Sequence, residues 1–255
     1  MSPTMQDIPI PTELAEASPG LTGVLGIPDG PGPWPAVVVV HEAFGIEEQM
    51  RAQIAHLTSL GYLTLMPDLY SAGGFRKCIG ATARALRSGE GRAWADIESA
   101  RVLLSARDDV TGAMGIIGFC LGGGFALLAA TGAYDSEADR LDYQAAAVNY
   151  GILPENLDVI EQSCPVVASY GARDRTIKDG AAQLEELYTR LDVPHDVKEY
   201  PEAGHAFLNQ KMAGPLIVRP FMKLAGIGPH PESAVDAWQR IDAFFTEHLA
   251  TGARS

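Results

Sequence analysis

Three side chains of this sequence, Cys120, Asp174 and His205, follow one another in the order nucleophile, acid, base, and each stands just after a short apolar run. An imidazole beside a thiol takes its proton and leaves a sulfur that attacks carbonyl carbon. A carboxylate behind the ring holds the useful tautomer and stabilises the imidazolium. The pattern therefore reads as acyl transfer. Cys120 lies in Gly118-Phe119-Cys120-Leu121-Gly122, the cysteine form of a G-x-S-x-G turn, in which flanking glycines let a strand and a helix approach around a strained residue. The turn would expose the sulfur at a sheet end, the helix N-terminus would favour negative charge there, and the Leu121 N–H could point at an oxyanion. Each residue also has a plainer reading: Cys120 as a packed, inert cysteine, Asp174 as a surface carboxylate between Arg173 and Arg175, His205 as a satisfied loop histidine. Three independent strand ends supplying complementary groups in the order of use favour the catalytic one.

The elements that must position these groups are legible as alternating patterns. Ala36-Val37-Val38-Val39-Val40 is uniformly apolar and β-branched, as expected of a strand covered on both faces. It is followed by helical spacing over 47–60, a strand over 62–66, an amphipathic helix over 93–106 (Trp94, Ile97, Val102, Leu103) and the apolar strand that enters the turn. Strands are expected over 144–150, 165–170 and 195–200, helices over 178–191 and 233–249, and a frayed tail after them. The stretch 21–27 reads as an edge strand, and residues 1–20 as an extended N-terminal segment. Strand followed by helix, repeated, specifies a doubly wound, mostly parallel sheet with helices on both faces. Ligands in such sheets sit beyond the carboxyl ends of the strands, where each polar joint falls.

One of those joints is His41-Glu42-Ala43-Phe44-Gly45, at the mouth of the central strand. There the backbone N–H of Ala43 would join that of Leu121 in an oxyanion hole. Glu42 needs a partner on so apolar a joint, with Cys120 or an arginine as candidates. Residues 69–92, rich in Gly and Arg, either border a pocket or form a solvated loop with a short helix. Phe44, Tyr70, Arg84 and Phe207 are the candidates for lining a substrate pocket. The Pro- and Gly-rich stretch 208–232 is either a lid or a surface insertion.

Bulk properties narrow the field. With 255 residues, 47% of them hydrophobic, the chain can form one domain around a substantial core. A net charge of −13 and no basic cluster argue against nucleic acid and against an anionic membrane surface. No window is long and apolar enough to span a bilayer, and the N-terminus lacks the cationic and apolar regions of an export signal. Three cysteines without framework spacing suit a reducing, cytoplasmic setting. The six histidines show no paired ligand spacing, the glycines after Cys120 are not followed by Lys-Ser/Thr, and no G-x-G-x-x-G follows a first strand. Neither a metal nor a cofactor is called for. The expected assembly is a monomer or homodimer.

Five pieces, V-V-V-V-H-E-A-F-G (37–45), G-Y-L-T-L-M-P-D-L-Y (61–70), G-I-I-G-F-C-L-G-G (115–123), Y-G-A-R-D (170–174) and Y-P-E-A-G-H-A-F (200–207), resemble the dienelactone hydrolase family in order and spacing. The resemblance implies an α/β-hydrolase fold and hydrolysis of a lactone through a thiol ester on Cys120. It further implies that Glu42 contacts the resting thiol and swings aside for substrate. The chain departs from that pattern after His205: family members carry an arginine for a substrate carboxylate, where Leu208, Asn209 and Gln210 stand here. A broad carboxylesterase or thioesterase, or a non-catalytic thiol sensor on the same fold, are the alternatives.

Overall fold

Successive residues of the strand β3 (Trp34–Val40) belong to two different cores, because side chains alternate across a pleated sheet. Ala36, Val38 and Val40 pack into one apolar layer, and Val37 and Val39 into another on the opposite face. The computed structural model describes residues 4–132, 143–158 and 160–249; the tail expected to fray, 250–255, lies outside them. Eight strands form one sheet in the order β1-β2-β4-β3-β5-β6-β7-β8. These are β1 (Thr4–Pro9), β2 (Thr22–Ile27), β3, β4 (Leu63–Pro67), β5 (Val110–Phe119), β6 (Ala145–Asn149), β7 (Val166–Gly171) and β8 (His195–Tyr200). From β4 to β8 every pairing is parallel, while β1 and β2 run antiparallel.

Helices cover both faces. On one lie α2 (Phe75–Ser88), α3 (Arg92–Ser105), α4 (Leu121–Thr131) and α5 (Gly180–Leu191), which bury Leu86, Ile97, Phe125 and Leu184 against the sheet. On the other, α1 (Glu48–Ser59) and the last helix, α7 (Pro231–Leu249), bury Met50, Ile54, Leu57, Ile241 and Phe245. The doubly wound architecture expected from the strand-helix alternation is the one observed. No helix among the described residues is long and apolar enough to cross a membrane.

Three expectations are corrected. The strand at 21–27 is not the edge: part of the N-terminal segment forms β1, which pairs with β2 from Thr4 opposite Ile27 to Pro9 opposite Thr22. Its proline falls at the strand's end, where the missing N–H interrupts little. Buried Asp96 then ties down the rest of the segment, accepting hydrogen bonds from the Ser18 N–H at 2.6 Å and the Ser18 hydroxyl at 2.7 Å. Most of 69–92 is neither loop nor short helix but the 14-residue α2. Its buried face, Cys78, Thr82, Ala85 and Leu86, is made of small and weakly apolar residues at helical spacing, which the intervening arginines obscure. In α3, Val102 points outward, and Leu104 takes the buried position.

The last helix closes one core, and its removal from that core should be costly. Phe245 is fully buried and meets Tyr62 edge-on at 5.8 Å. Phe245→Ala is expected to lower unfolding stability by about 3–5 kcal/mol, read as a shift in the urea midpoint at unchanged slope. A loss under about 1 kcal/mol would mean that α7 is not an integral part of the core.

Candidate active site

The carboxyl ends of β3, β5, β7 and β8 converge on one region because the parallel strands all point the same way. At the end of β5 the backbone turns sharply into α4 through Cys120, whose φ of 55° lies in the left-handed region. For a residue with a Cβ this costs about 1–3 kcal/mol, so the surroundings must impose it. They do so by crowding. A Cβ on Gly118 would run into the carbonyl of Gly122, one on Gly122 into the main-chain oxygens of Val40 and His41, and one on Gly123 would come within 2.6 Å of the Gly151 Cα. Asn149 braces the turn from β6, its side-chain amide donating to the Gly118 carbonyl at 3.2 Å and its own carbonyl accepting from Cys120 N–H at 3.1 Å.

His205 arrives on the loop after β8 and is positioned by its backbone, which accepts from Gly228 N–H and donates to the Gly226 carbonyl. Its Nδ1–H donates to the Asp174 carboxylate at 2.6 Å. The other Asp174 oxygen accepts from the Thr176 N–H at 2.8 Å and the Thr176 hydroxyl at 2.6 Å. Burial works against the imidazolium, but the hydrogen bonds and charges of Asp174 and Cys120 outweigh it and raise the His205 pKa to about 10. Burial likewise opposes the Asp174 carboxylate, yet His205 and Thr176 hold its pKa below the ordinary value. Cys120, Asp174 and His205, scattered through the chain, are thus brought together.

The loop after β3 supplies the facing wall. His41 is fully buried, with Nδ1–H donating to the Glu42 carbonyl at 2.7 Å and Nε2 accepting from Leu69 N–H at 3.2 Å, so its partners specify one neutral tautomer. Burial pushes its pKa down in agreement. Tyr70 stacks edge-on against His41 at 4.9 Å, and its hydroxyl donates to the Ala43 carbonyl at 2.7 Å. Among the described residues neither the Ala43 nor the Leu121 N–H donates to a protein partner. The two amides sit at the loop and helix start that flank the sulfur.

Glu42 is placed in this wall, but its partner is neither Cys120 nor an arginine: the Asn209 side-chain amide donates to its carboxylate at 2.7 Å. Burial raises the Glu42 pKa, while the Asn209 hydrogen bond and the His205 charge pull it part of the way back. Of the pocket candidates, Phe44 is half-buried beside Phe75 and the backbone of Gly214. Tyr70 spends its hydroxyl on the Ala43 carbonyl and acts as a brace for the loop after β3. Two are displaced from the pocket. Phe207 is wholly buried between Tyr150 and Tyr200, because the turn after His205 directs it into the core. Arg84 lies on the exposed side of α2, beside a small cavity that it shares with Cys78 and not with Cys120.

Sequence reading missed Asn209, Gln53, Asn149, Thr176 and Tyr150. The ring of Tyr150 packs 5.1 Å from His205, and its buried hydroxyl has no hydrogen-bond partner among the described residues. The stretch 208–232 is bound at both ends: Lys211 and Gly214 N–H donate to Gln49 and Glu47 near the start of α1, and Gly226 and Gly228 pair with His205. Its middle carries a short helix, α6 (Arg219–Leu224). Among the described residues no three His, Cys, Asp or Glu side chains gather as a metal ion would require.

The paired charges give a signed expectation for pH. A raised His205 pKa contributes stability that is complete below about pH 6.5 and is lost as the pH climbs through about 10. In Asp174→Asn that contribution should shrink, and the imidazole, followed by nitrogen-detected NMR, should titrate at lower pH than in the unmodified protein. Identical titration curves would show that the carboxylate does not set the proton affinity of the ring.

The chain matches the dienelactone hydrolase family over residues 21–249. A carboxymethylenebutenolidase from Rhodococcus opacus is 30% identical over 230 residues, covering 85% of this chain and 82% of its own. In fold the chain is similar to the dienelactone hydrolase of Anabaena variabilis, with a TM-score of 0.65 and 19% identity over 98% of this chain and 100% of that one. It is also similar to a dienelactone hydrolase-like promiscuous phosphotriesterase from metagenomic libraries, with a TM-score of 0.75 and 21% identity over 98% and 100% of the two chains. The family match runs from β2 through the turn at Cys120 and the loops that carry Asp174 and His205 to the last residue of α7. On that extent the chain belongs to the dienelactone hydrolase family and has its α/β-hydrolase fold.

Proposed function

We propose that this protein hydrolyses carboxylic esters or lactones through a thiol ester on Cys120, in the manner of a carboxymethylenebutenolidase. The observation that carries the reading is the buried imidazole of His205, hydrogen-bonded to Asp174 at 2.6 Å on one side and interacting with Cys120 as well. In this reaction His205 takes the thiol proton and the sulfur attacks the carbonyl carbon. The carbonyl electron pair moves onto oxygen, which the N–H groups of Ala43 and Leu121 receive. As the tetrahedral adduct collapses, the C–O bond breaks and imidazolium protonates the departing alkoxide, which in a lactone stays tethered to the acyl group. Water, deprotonated by His205, then attacks the thiol ester. The carboxylic acid leaves and the thiol regains its proton.

Glu42 is buried in the wall that faces this site, where its carboxylate and the charge of His205 act on each other. A small-molecule ester or lactone is the partner that such chemistry serves, and no cofactor enters any step. The three free cysteines accord with a reducing compartment such as the cytoplasm.

Cys120→Ala should lower kcat/KM for p-nitrophenyl acetate and for a small lactone by at least about a thousand-fold, as losing the nucleophile of a triad does elsewhere. One equivalent of iodoacetamide, mapped to Cys120, should abolish the same activities. Full turnover by the alkylated protein would end the proposal. Rapid, reversible oxidation of Cys120 in a protein that hydrolyses none of these substrates would favour a thiol sensor instead.

A further inference from the structure

A cavity of 610 Å3 lies beside the start of α4, walled by Leu86, Trp94, Leu121, Leu128, Ile152 and Leu153. Its size falls within the range of about 300–1,000 Å3 that small-molecule sites occupy. The polar side chains that line it, Arg87, Ser88, Glu155 and Asn156, are all exposed, and the Trp94 Nε1–H donates to the Ala85 carbonyl at 2.9 Å. The depth of the cavity is therefore apolar. Its walls are fixed by backbone contact: a Cβ on Gly151 would lie 2.5 Å from the Gly123 carbonyl carbon, and one on Gly124 would lie 2.8 Å from the Ile152 carbonyl oxygen. The loop after β6 is thus seated on the first turn of α4, and the Gly151 carbonyl also accepts from the Tyr170 hydroxyl at 3.0 Å. An occupant would meet a preformed surface and would not have to order it.

Leu121 joins this cavity to the chemistry. It follows Cys120 directly, and its N–H donates to no protein partner among the described residues, while its buried side chain forms part of the cavity wall. The sulfur stands between two sides, since Cys120 packs against both apolar layers. The His205 ring lies against Tyr150, which shares one layer with Phe207; Leu86, Trp94 and Leu121 belong to the other. In acyl transfer the departing alkoxide takes its proton from the imidazole, so it leaves on the His205 side. The acyl chain is left the opposite side, towards Leu121.

We propose that this cavity is the acyl-chain subsite, so that the protein prefers esters and lactones whose acyl portion carries an apolar chain of several carbons. This rests on the acyl-transfer reading above and names its substrate class. Each methylene that passes from water into such a cavity strengthens binding by about four-fold, and a chain held only in part still gains ten-fold or so over four carbons.

Two independent readouts test it. The first compares methyl hexanoate with pentyl acetate, isomers that differ in the side of the ester on which the chain lies, each normalised to its hydroxide-catalysed rate. Methyl hexanoate should show a kcat/KM at least about ten-fold higher. The second needs no turnover: iodoacetamide and N-hexyl iodoacetamide alkylate Cys120 in competition, followed by peptide mass mapping. The longer reagent should gain at least about ten-fold over its ratio toward a small free thiol. Ala83 is half-buried on the α2 wall of the cavity; Ala83→Phe, which fills the space, should erase both preferences, and Ala83→Ser, which leaves it open, should retain the larger part of each. Equal rates on the two esters, a preference for pentyl acetate, or no gain by the longer reagent in the unmodified protein would each overturn the inference. A protein in which the longer reagent gains but neither ester is hydrolysed would instead overturn the acyl-transfer reading while supporting the apolar subsite.

Discussion

The contact on which the site depends is the near-collision of strand β5 with helix α4. At Gly118 and Gly122 the two backbones approach so closely that a single methyl group on either would strike a main-chain carbonyl. That approach leaves Cys120 no room for ordinary strand or helix dihedrals, and the residue takes the left-handed conformation by exclusion. The strain is borne by the buried, fully hydrogen-bonded sheet on either side and by the Asn149 brace. Its effect is to raise a sulfur off the sheet end at the start of a helix. Cys164, by contrast, lies in the core, where burial pushes its thiol up to about 12.

Around that point the fold converts distance in sequence into contact. Asp174 and His205 come from the ends of neighbouring strands and lock to each other, and His205 is further held by the chain at Gly226 and Gly228. The loop at the end of β3 is held from below: His41 in one tautomer, Tyr70 hydrogen-bonded to Ala43, and Gly45 fitted so tightly that a Cβ there would press on the Tyr70 ring. An oxyanion hole gives its advantage only if its donors need no rearrangement during the reaction. The loop that carries Ala43 is braced in this way, and among the described residues neither its amide nor that of Leu121 donates to a protein partner.

What could be read directly from the sequence was whatever is local. The valines of β3, the elbow and the residues closing β7 and β8 announce themselves within a few positions, since strand patterning and turn chemistry act over that range. What escaped was non-local or disguised. The strand β1 exists because β2 offers it an edge, which no property of residues 4–9 declares. The helix α2 hides a buried face of Cys, Thr and Ala beneath arginines. Phe207 was placed at the pocket because it follows His205 closely, but proximity along a loop does not reveal which side of it faces inward. The partner of Glu42 is 167 residues away, and the sequence at 208–210 shows only that no arginine is present. The same stretch did not declare itself as lid or insertion, because its ends are stitched into α1 and the His205 loop by distant partners, whereas Leu216, Ile217, Phe221 and Leu224 project into solvent.

The two carboxylates on the rim show how burial alone does not decide what an acid does. Both Asp174 and Glu42 lose hydration, and in both this is the largest influence on the proton. Asp174 then meets an imidazolium and two Thr176 donors, and its pKa falls; Glu42 meets one amide and the more distant charge of His205, and its pKa rises. A pair of like groups driven in opposite directions within one site marks a division of labour. Asp174 is a counter-charge that holds the His205 ring in one orientation and strengthens its hold on the proton. Glu42 is held by a single amide donor, and burial remains the dominant influence on its proton.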